Sequence, residues 1–385
     1  MSRVVPGSRR DAHAHLPGAL ATALRRLTRF GRLGLFGLLG VGLGGCSTLE
    51  YYGQAVQGHL EIVHRARPVA DWLADPATPS ALRARLELSQ RLRDFATREL
   101  KLPDNRSYRS YADLGRNAAV YNVVAAPELS LVLKTWCFPI MGCVGYRGYF
   151  ARDAAERLAA QLRTEGWETS VYGVPAYSTL GKTDFLGGDP LLNTFVDWPE
   201  GDLARLIFHE LAHQVAYADD DTTFNESFAV SVERIGAGRW LARYASPEAR
   251  ATDALLATRR DEFRALTART REALATLYAS RLDDDDKRRR KAALFASMRE
   301  EYARVRRESW AGFSGYDAWF EHANNAALAV QAAYTELVPQ FERLFEREGG
   351  DFTRFYAEVQ RLAALPKAER RAKLAAAASA TARAS

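Results

Sequence analysis

The string HELAH at residues 209–213 sets two histidines four positions apart, with a glutamate directly after the first. On an α-helix His209 and His213 differ by about 40° in direction and Glu210 lies about 100° from His209, so all three share one arc. Two neutral imidazoles one turn apart can take two corners of a zinc tetrahedron, and the adjacent carboxylate then stands beside the position left for water. Zinc lowers the pKa of such a water to about 7, which places Glu210 as the general base and makes hydrolysis of a peptide or amide bond the expected chemistry. The surrounding LARLIFHELAHQVAY has helical spacing and starts near Asp202, after a Pro/Gly turn.

A third protein ligand is required, and three acids compete for the role. Asp219 stands six residues after His213, where metzincins place their last ligand, but Ala216 occupies the midway position at which those chains need glycine. Glu233 follows His213 with nineteen residues between, a separation similar to that in thermolysin-like enzymes. Glu226 follows with twelve residues between, in FNESFA, which resembles the NExxA ligand motif of the gluzincin aminopeptidases. Thr223-Phe224-Asn225-Glu226 also fits a capping box, in which the glutamate would serve the helix start instead. A short DDDT turn that folds the second helix back beside the first favours Glu226 as ligand. Asn225 and Asp219–Asp221 are then either partners of the ligands or a solvated turn.

The formal net charge of +6 points to an acidic partner only if it is spread over the folded part, and it is not. Residues 1–45 hold seven arginines and one aspartate, so they carry all of it, and nucleic acid is not expected as a partner. After Arg32 come the apolar run LGLFGLLGVGLGG and Cys46, the pattern of an export signal, too short to span a bilayer comfortably. Leu43-Gly44-Gly45-Cys46 resembles the lipobox of bacterial lipoproteins, which implies a lipid anchor on Cys46. Ser47 in place of aspartate implies the outer membrane, and the expected location is a periplasm-facing lipoprotein of the cell envelope. Cys137 and Cys143, with Pro139 and Gly142 between them, either close a small turn as a disulfide or stay as two thiols.

The patterning predicts an α+β fold, predominantly helical, with zincin-like active-site helices, a small β-sheet and a long helical hairpin. The expected organisation is a signal peptide at 1–45, a helical region at 46–120, a zincin-like core at 121–245, a charged hairpin at 246–310, C-terminal helices at 311–365 and a frayed Ala-rich tail at 366–385. AVYNVVA, LSLVLKTW, VGYRGYF and TSVYGV read as strands, interrupted by a helix at about 151–165. The hairpin should break near Leu282, where DDDDKRRR puts acids before bases, and it offers a surface for a protein partner. Two further helices are expected at 317–347 and 351–364, separated by Gly349-Gly350.

LPDN, YADL, NVVAAPE, CFP with GCVGYRGYF, AYSTLG, LIFHELAHQ, FNESFA and LVPQFE with GGDFTRFYAEV occur in an order similar to that of a bacterial family of aminopeptidases, proteobacterial lipoproteins with a zincin-type site. The likeness runs over about residues 46–365 and implies zinc, a peptide substrate and an envelope location. The GxMEN-type motif whose glutamate grips the substrate amine in the gluzincin aminopeptidases does not occur here, so Asp184 or Asp189 would have to supply that carboxylate. VPAYSTLG lies where zincins carry the strand that receives substrate. An oxyanion donor is also needed, with Tyr334 preferred over His322 and Tyr356. The alternatives are an endopeptidase or amidase acting on cell-wall peptides, and a non-catalytic envelope scaffold that retains structural zinc.

Overall fold

The computed structural model describes residues 51–138, 142–177, 187–333 and 336–381. The chain divides into Met1–Gln57 and Gly58–Ser385, and every element of the site belongs to the second unit. The signal segment and Cys46 lie outside the described residues. Among those residues no helix is long and apolar enough to cross a membrane. The architecture is α+β and predominantly helical.

Pro68 ends the first helical stretch, because a proline gives no backbone donor and crowds the preceding turn. The chain there forms β1 (Arg67–Pro68), then α1 (Val69–Ala74) and α2 (Ser80–Arg98). β1 pairs antiparallel with β2 (Ser110–Ala112), and β2 pairs parallel with β8 (Leu191–Leu192), the last strand before the HELAH helix. The other three-stranded sheet has β3 (Val120–Pro127) at its centre, between β6 (Arg147–Tyr149) and β7 (Trp167–Val174), with α3 (Arg152–Thr164) crossing over. β4 (Trp136–Phe138) and β5 (Gly142–Val144) form a hairpin in which Cys137 faces Cys143 in register, and the two are joined as a disulfide.

LSLVLKTW is strand only from Trp136 onward. Its leucines serve as separate anchors: Leu131 packs on the cluster inside the helical hairpin and Leu133 on a small cluster under β3, while Val132 between them is 73% exposed. Apolar residues that bury on two different surfaces leave no ladder to form. The strand expected over VPAYSTLG stops at Val174, and residues 178–181 lie outside the described residues.

α4 (Glu200–His213) and α5 (Thr222–Tyr244) carry the site, and α6 (Pro247–Ala279) and α7 (Asp284–Glu308) form the hairpin, turned at 280–283 as the charge pattern predicts. Asp283 caps α7 by accepting from Asp286 N at 2.8 Å, and Asp284–Asp286 and Arg306-Arg307 sit at the ends that suit the helix dipole. The hairpin is docked at both ends. Arg260 pairs with Asp202 of α4 at 2.6 Å, while Lys291 donates to the Glu128 carbonyl at 2.7 Å and pairs with Glu168.

The span 317–347 is three helices, α8 (Asp317–His322), α9 (Asn325–Ala333) and α10 (Val338–Arg347). Asn324 accepts from Ala327 N at 3.0 Å and so starts α9 afresh, and α10 takes a proline in its first turn. Gly349 and Gly350, at φ 71° and 69°, supply the left-handed turn before α11 (Phe352–Ala363). The tail is helical rather than frayed over its described residues: α12 spans Lys367–Thr381, with Arg370 and Leu374 buried. Alanine content gave no sign of Arg370, Leu374 and Ala377, the buried residues that dock it.

Candidate metal centre

α4 buries Leu203, Ala204, Ile207, Phe208, Leu211 and Ala212, the i, i+4, i+8 face that seats it in the main core. His209, Glu210 and His213 are left on the adjoining arc. The chain then reverses through residues 214–221, and the side chain of Asn225 fixes that turn: its Oδ1 accepts from Ala218 N and its Nδ2 donates to Ala218 O, both at 2.8 Å. Asp221 is the N-cap of α5, accepting from Phe224 N at 3.2 Å. The cap is therefore not Thr223, and Glu226 is free to face α4.

His209 Nε2 and His213 Nε2 lie 3.1 Å apart, and Glu226 Oε2 lies 3.3 Å from the first and 3.6 Å from the second. These three residues form a group of donors able to hold a metal ion. A tetrahedral zinc site with ligand arms of about 2.0–2.1 Å has donor–donor edges of about 3.3–3.4 Å, so the triangle has the size such an ion requires. The donor set of two imidazoles and one carboxylate also suits zinc and leaves the fourth corner free.

Glu233, the rival ligand, stands elsewhere. Its Oε2 is 2.9 Å from His209 Nδ1, on the far side of the ring from Glu226. Burial alone would lower the pKa of His209, but the hydrogen-bonded carboxylates of Glu226 and Glu233 outweigh it and hold the ring well above its usual value. Burial likewise opposes ionisation of Glu226, and the two histidines overcome it and hold that carboxyl well below its usual range. His213 Nδ1 is buried without a hydrogen-bond partner among the described residues. Glu210, part-buried, makes no hydrogen bond or ion pair among the described residues.

Sequence reasoning missed three tyrosines whose hydroxyls feel the charge of these groups. Burial pushes the Tyr146 hydroxyl well above its ordinary pKa, and the charges of Glu226 and Glu210 add to the effect. Tyr217 is raised by burial and then by Glu226; it also lines a groove of about 660 Å³ between residues 215–220 and 360–370. Tyr108, fully buried at φ 64°, has a hydroxyl without a hydrogen-bond partner among the described residues and feels Glu210 and Asp189. No local pattern announces these residues; Tyr146 alone carries a cue, as the second residue after the disulfide hairpin.

Asp219 is exposed and outside the donor group. Asp189 is buried, which closes it to a substrate amine, and Asp184 lies outside the described residues. His322 is exposed at the end of α8, and Tyr356 is packed against Phe228, Phe352 and Phe355. Tyr334 lies outside the described residues. No curated protein and no solved structure matches the chain. The family model described as "Putative aminopeptidase" matches residues 50–374, and the chain belongs to that family.

Proposed function

We propose that the protein is a zinc-dependent aminopeptidase in which His209, His213 and Glu226 hold the ion and Glu210 is the general base. The observation that carries this is the triangle of three donors with 3.1, 3.3 and 3.6 Å edges, two of them from the helix that also carries Glu210. Zinc bound there supplies a Lewis acid that polarises the scissile carbonyl and makes water acidic enough to lose a proton near neutral pH. Glu210 takes the proton from the attacking water and hands it to the leaving amine. Glu233 fixes the tautomer of His209 by accepting from Nδ1–H, so that Nε2 would keep its lone pair available to hold a metal ion. Tyr146, raised by burial and by the carboxylates around it, stays protonated at neutral pH and donates its hydroxyl to the oxygen on which charge develops.

Among the described residues three donors gather here, which favours catalysis over a structural role, because a structural zinc site closes with four protein ligands. The leader before Cys46 supports export, and a lipid anchor at Cys46 would place the enzyme at the envelope. The test compares the parent with Glu210→Gln and Glu226→Gln for bound zinc and for hydrolysis of a short peptide. Glu210→Gln should keep zinc and lose about 10²–10⁴-fold in rate, and Glu226→Gln should lose both. A Glu210→Gln protein as active as the parent would overturn the mechanism.

A further inference from the structure

The last helix of the chain reaches the turn that joins the two metal-binding helices. Asp221, only 1% exposed, is the N-cap of α5 and therefore ends the turn between His213 and Glu226. Arg370 Nη1 donates to Asp221 Oδ2 at 3.0 Å and to Asp220 Oδ1 at 3.3 Å, and Arg371 Nε donates to Asp221 Oδ2 at 2.9 Å, with its Nη2 on the other oxygen. Lys367 Nζ donates to Asp220 O at 2.9 Å. Arg370 is itself 3% exposed, lies over the Phe224 ring at 5.3 Å, and donates through Nη2 to Leu365 O at 2.8 Å. A carboxylate that serves at once as helix cap and as acceptor of two guanidiniums is fixed in position, because displacing it would leave buried charge unpaired.

We propose that α12 is a strap on the metal centre: Arg370 and Arg371 are positioning residues that hold Asp221, and through it set where α5 begins and where Glu226 stands relative to His209 and His213. The inference rests on the zinc reading above. Neither arginine touches a ligand. Their action is mechanical, through the turn 214–221, whose middle is tied to the first turn of α5 by Asn225 on Ala218. The affinity of the site for a divalent ion then depends on the C-terminal helix.

The experiment uses the full chain with Arg371→Gln, Asp221→Asn, the double variant, and Arg299→Gln. Arg299 serves as control, since it donates to the Phe320 and Ala323 carbonyls in the hairpin region. Zn²⁺ affinity is read by competition with a chromogenic chelator, and amide exchange is followed in the metal-free chain. An asparagine can still cap α5, so Asp221→Asn removes the charge and keeps the acceptor. Arg371→Gln and Asp221→Asn should each weaken Zn²⁺ binding by about 10-fold. The double variant should be no weaker than about the poorer single, as expected of two residues acting through one contact. Amides of residues 222–226 should exchange faster in Arg371→Gln while those of 203–209 stay protected, and Arg299→Gln should change neither reading. Unchanged affinity and unchanged exchange at 222–226, with only a lower melting temperature, would reduce the contact to general stabilisation. A parent chain that binds no Zn²⁺ would overturn the metal reading and the affinity claim with it; the exchange data identify that case, because they report on the helix start without metal.

Discussion

Glu233 engages His209 through Nδ1 at 2.9 Å, and so turns the Nε2 of the same ring toward Glu226 at 3.3 Å. The two glutamates are seven residues apart on α5, about 20° from alignment on a helix, and they divide the work between opposite sides of one imidazole.

That division predicts unequal substitutions. Glu233→Gln should retain the fold and bind Zn²⁺ about 10–100-fold more weakly, whereas Glu226→Gln should lose high-affinity binding altogether. Isothermal titration of the two variants decides it. A larger loss from Glu233→Gln would exchange their roles.

Tyr146→Phe should lower kcat by about 10²-fold, with KM and bound zinc unchanged, because a hydroxyl that acts on developing charge is missed only in the transition state. Steady-state kinetics beside metal analysis separates this from a binding defect. An unchanged kcat would remove Tyr146 from the chemistry.

Gly236 of α5 lets the two site helices approach. A Cβ there would stand 2.6 Å from Leu100 Cδ1 and 2.9 Å from Phe208 Cδ2, next to the first histidine. Gly236→Ala should cost ~1–3 kcal/mol of overpacking, more than the roughly 1 kcal/mol that alanine adds in a helix. Gly238 meets nothing within 4 Å, so Gly238→Ala should stabilise instead. Thermal melts of the pair should move in opposite directions.

Stability near the strap should depend on acid. Burial pushes the Asp221 carboxyl up, but Arg371, the Phe224 N–H and Arg370 overcome it and hold its pKa below the ordinary range. A depressed folded value means that its stabilisation is fully present above the unfolded value of about 3.9 and is lost as the pH falls through the lower folded value. The melting-temperature gap between the parent and Asp221→Asn should therefore be constant above about pH 5 and narrow below about pH 4. A gap that widened in acid would contradict the ion pairing.

The histidine pair was legible because α4 is long, regular and apolar on one face, so period alone oriented HELAH. The choice between Glu226 and Glu233 was not legible from period, since residues seven apart share a face; the resemblance of FNESFA pointed to Glu226, and antiparallel packing sets each at its own height along α4. Tyr146 and Tyr108 feel the carboxylates of Glu226 and Glu210 from the first half of the chain, across separations that no window contains. Leu131 and Leu133 gave a strand-like run for a loop, because they anchor to different clusters. The alanines of α12 concealed two arginines whose partner lies 150 residues earlier.

The most direct measurement is hydrolysis of one peptide, with its N-terminus free or acetylated, by the zinc-loaded full chain and after chelation. Cleavage of the free peptide that stops on chelation and returns with Zn²⁺, with the acetylated form untouched, is the predicted result. Equal cleavage of both forms would make the protein an endopeptidase, and no cleavage of either under any divalent ion would contradict the catalytic assignment.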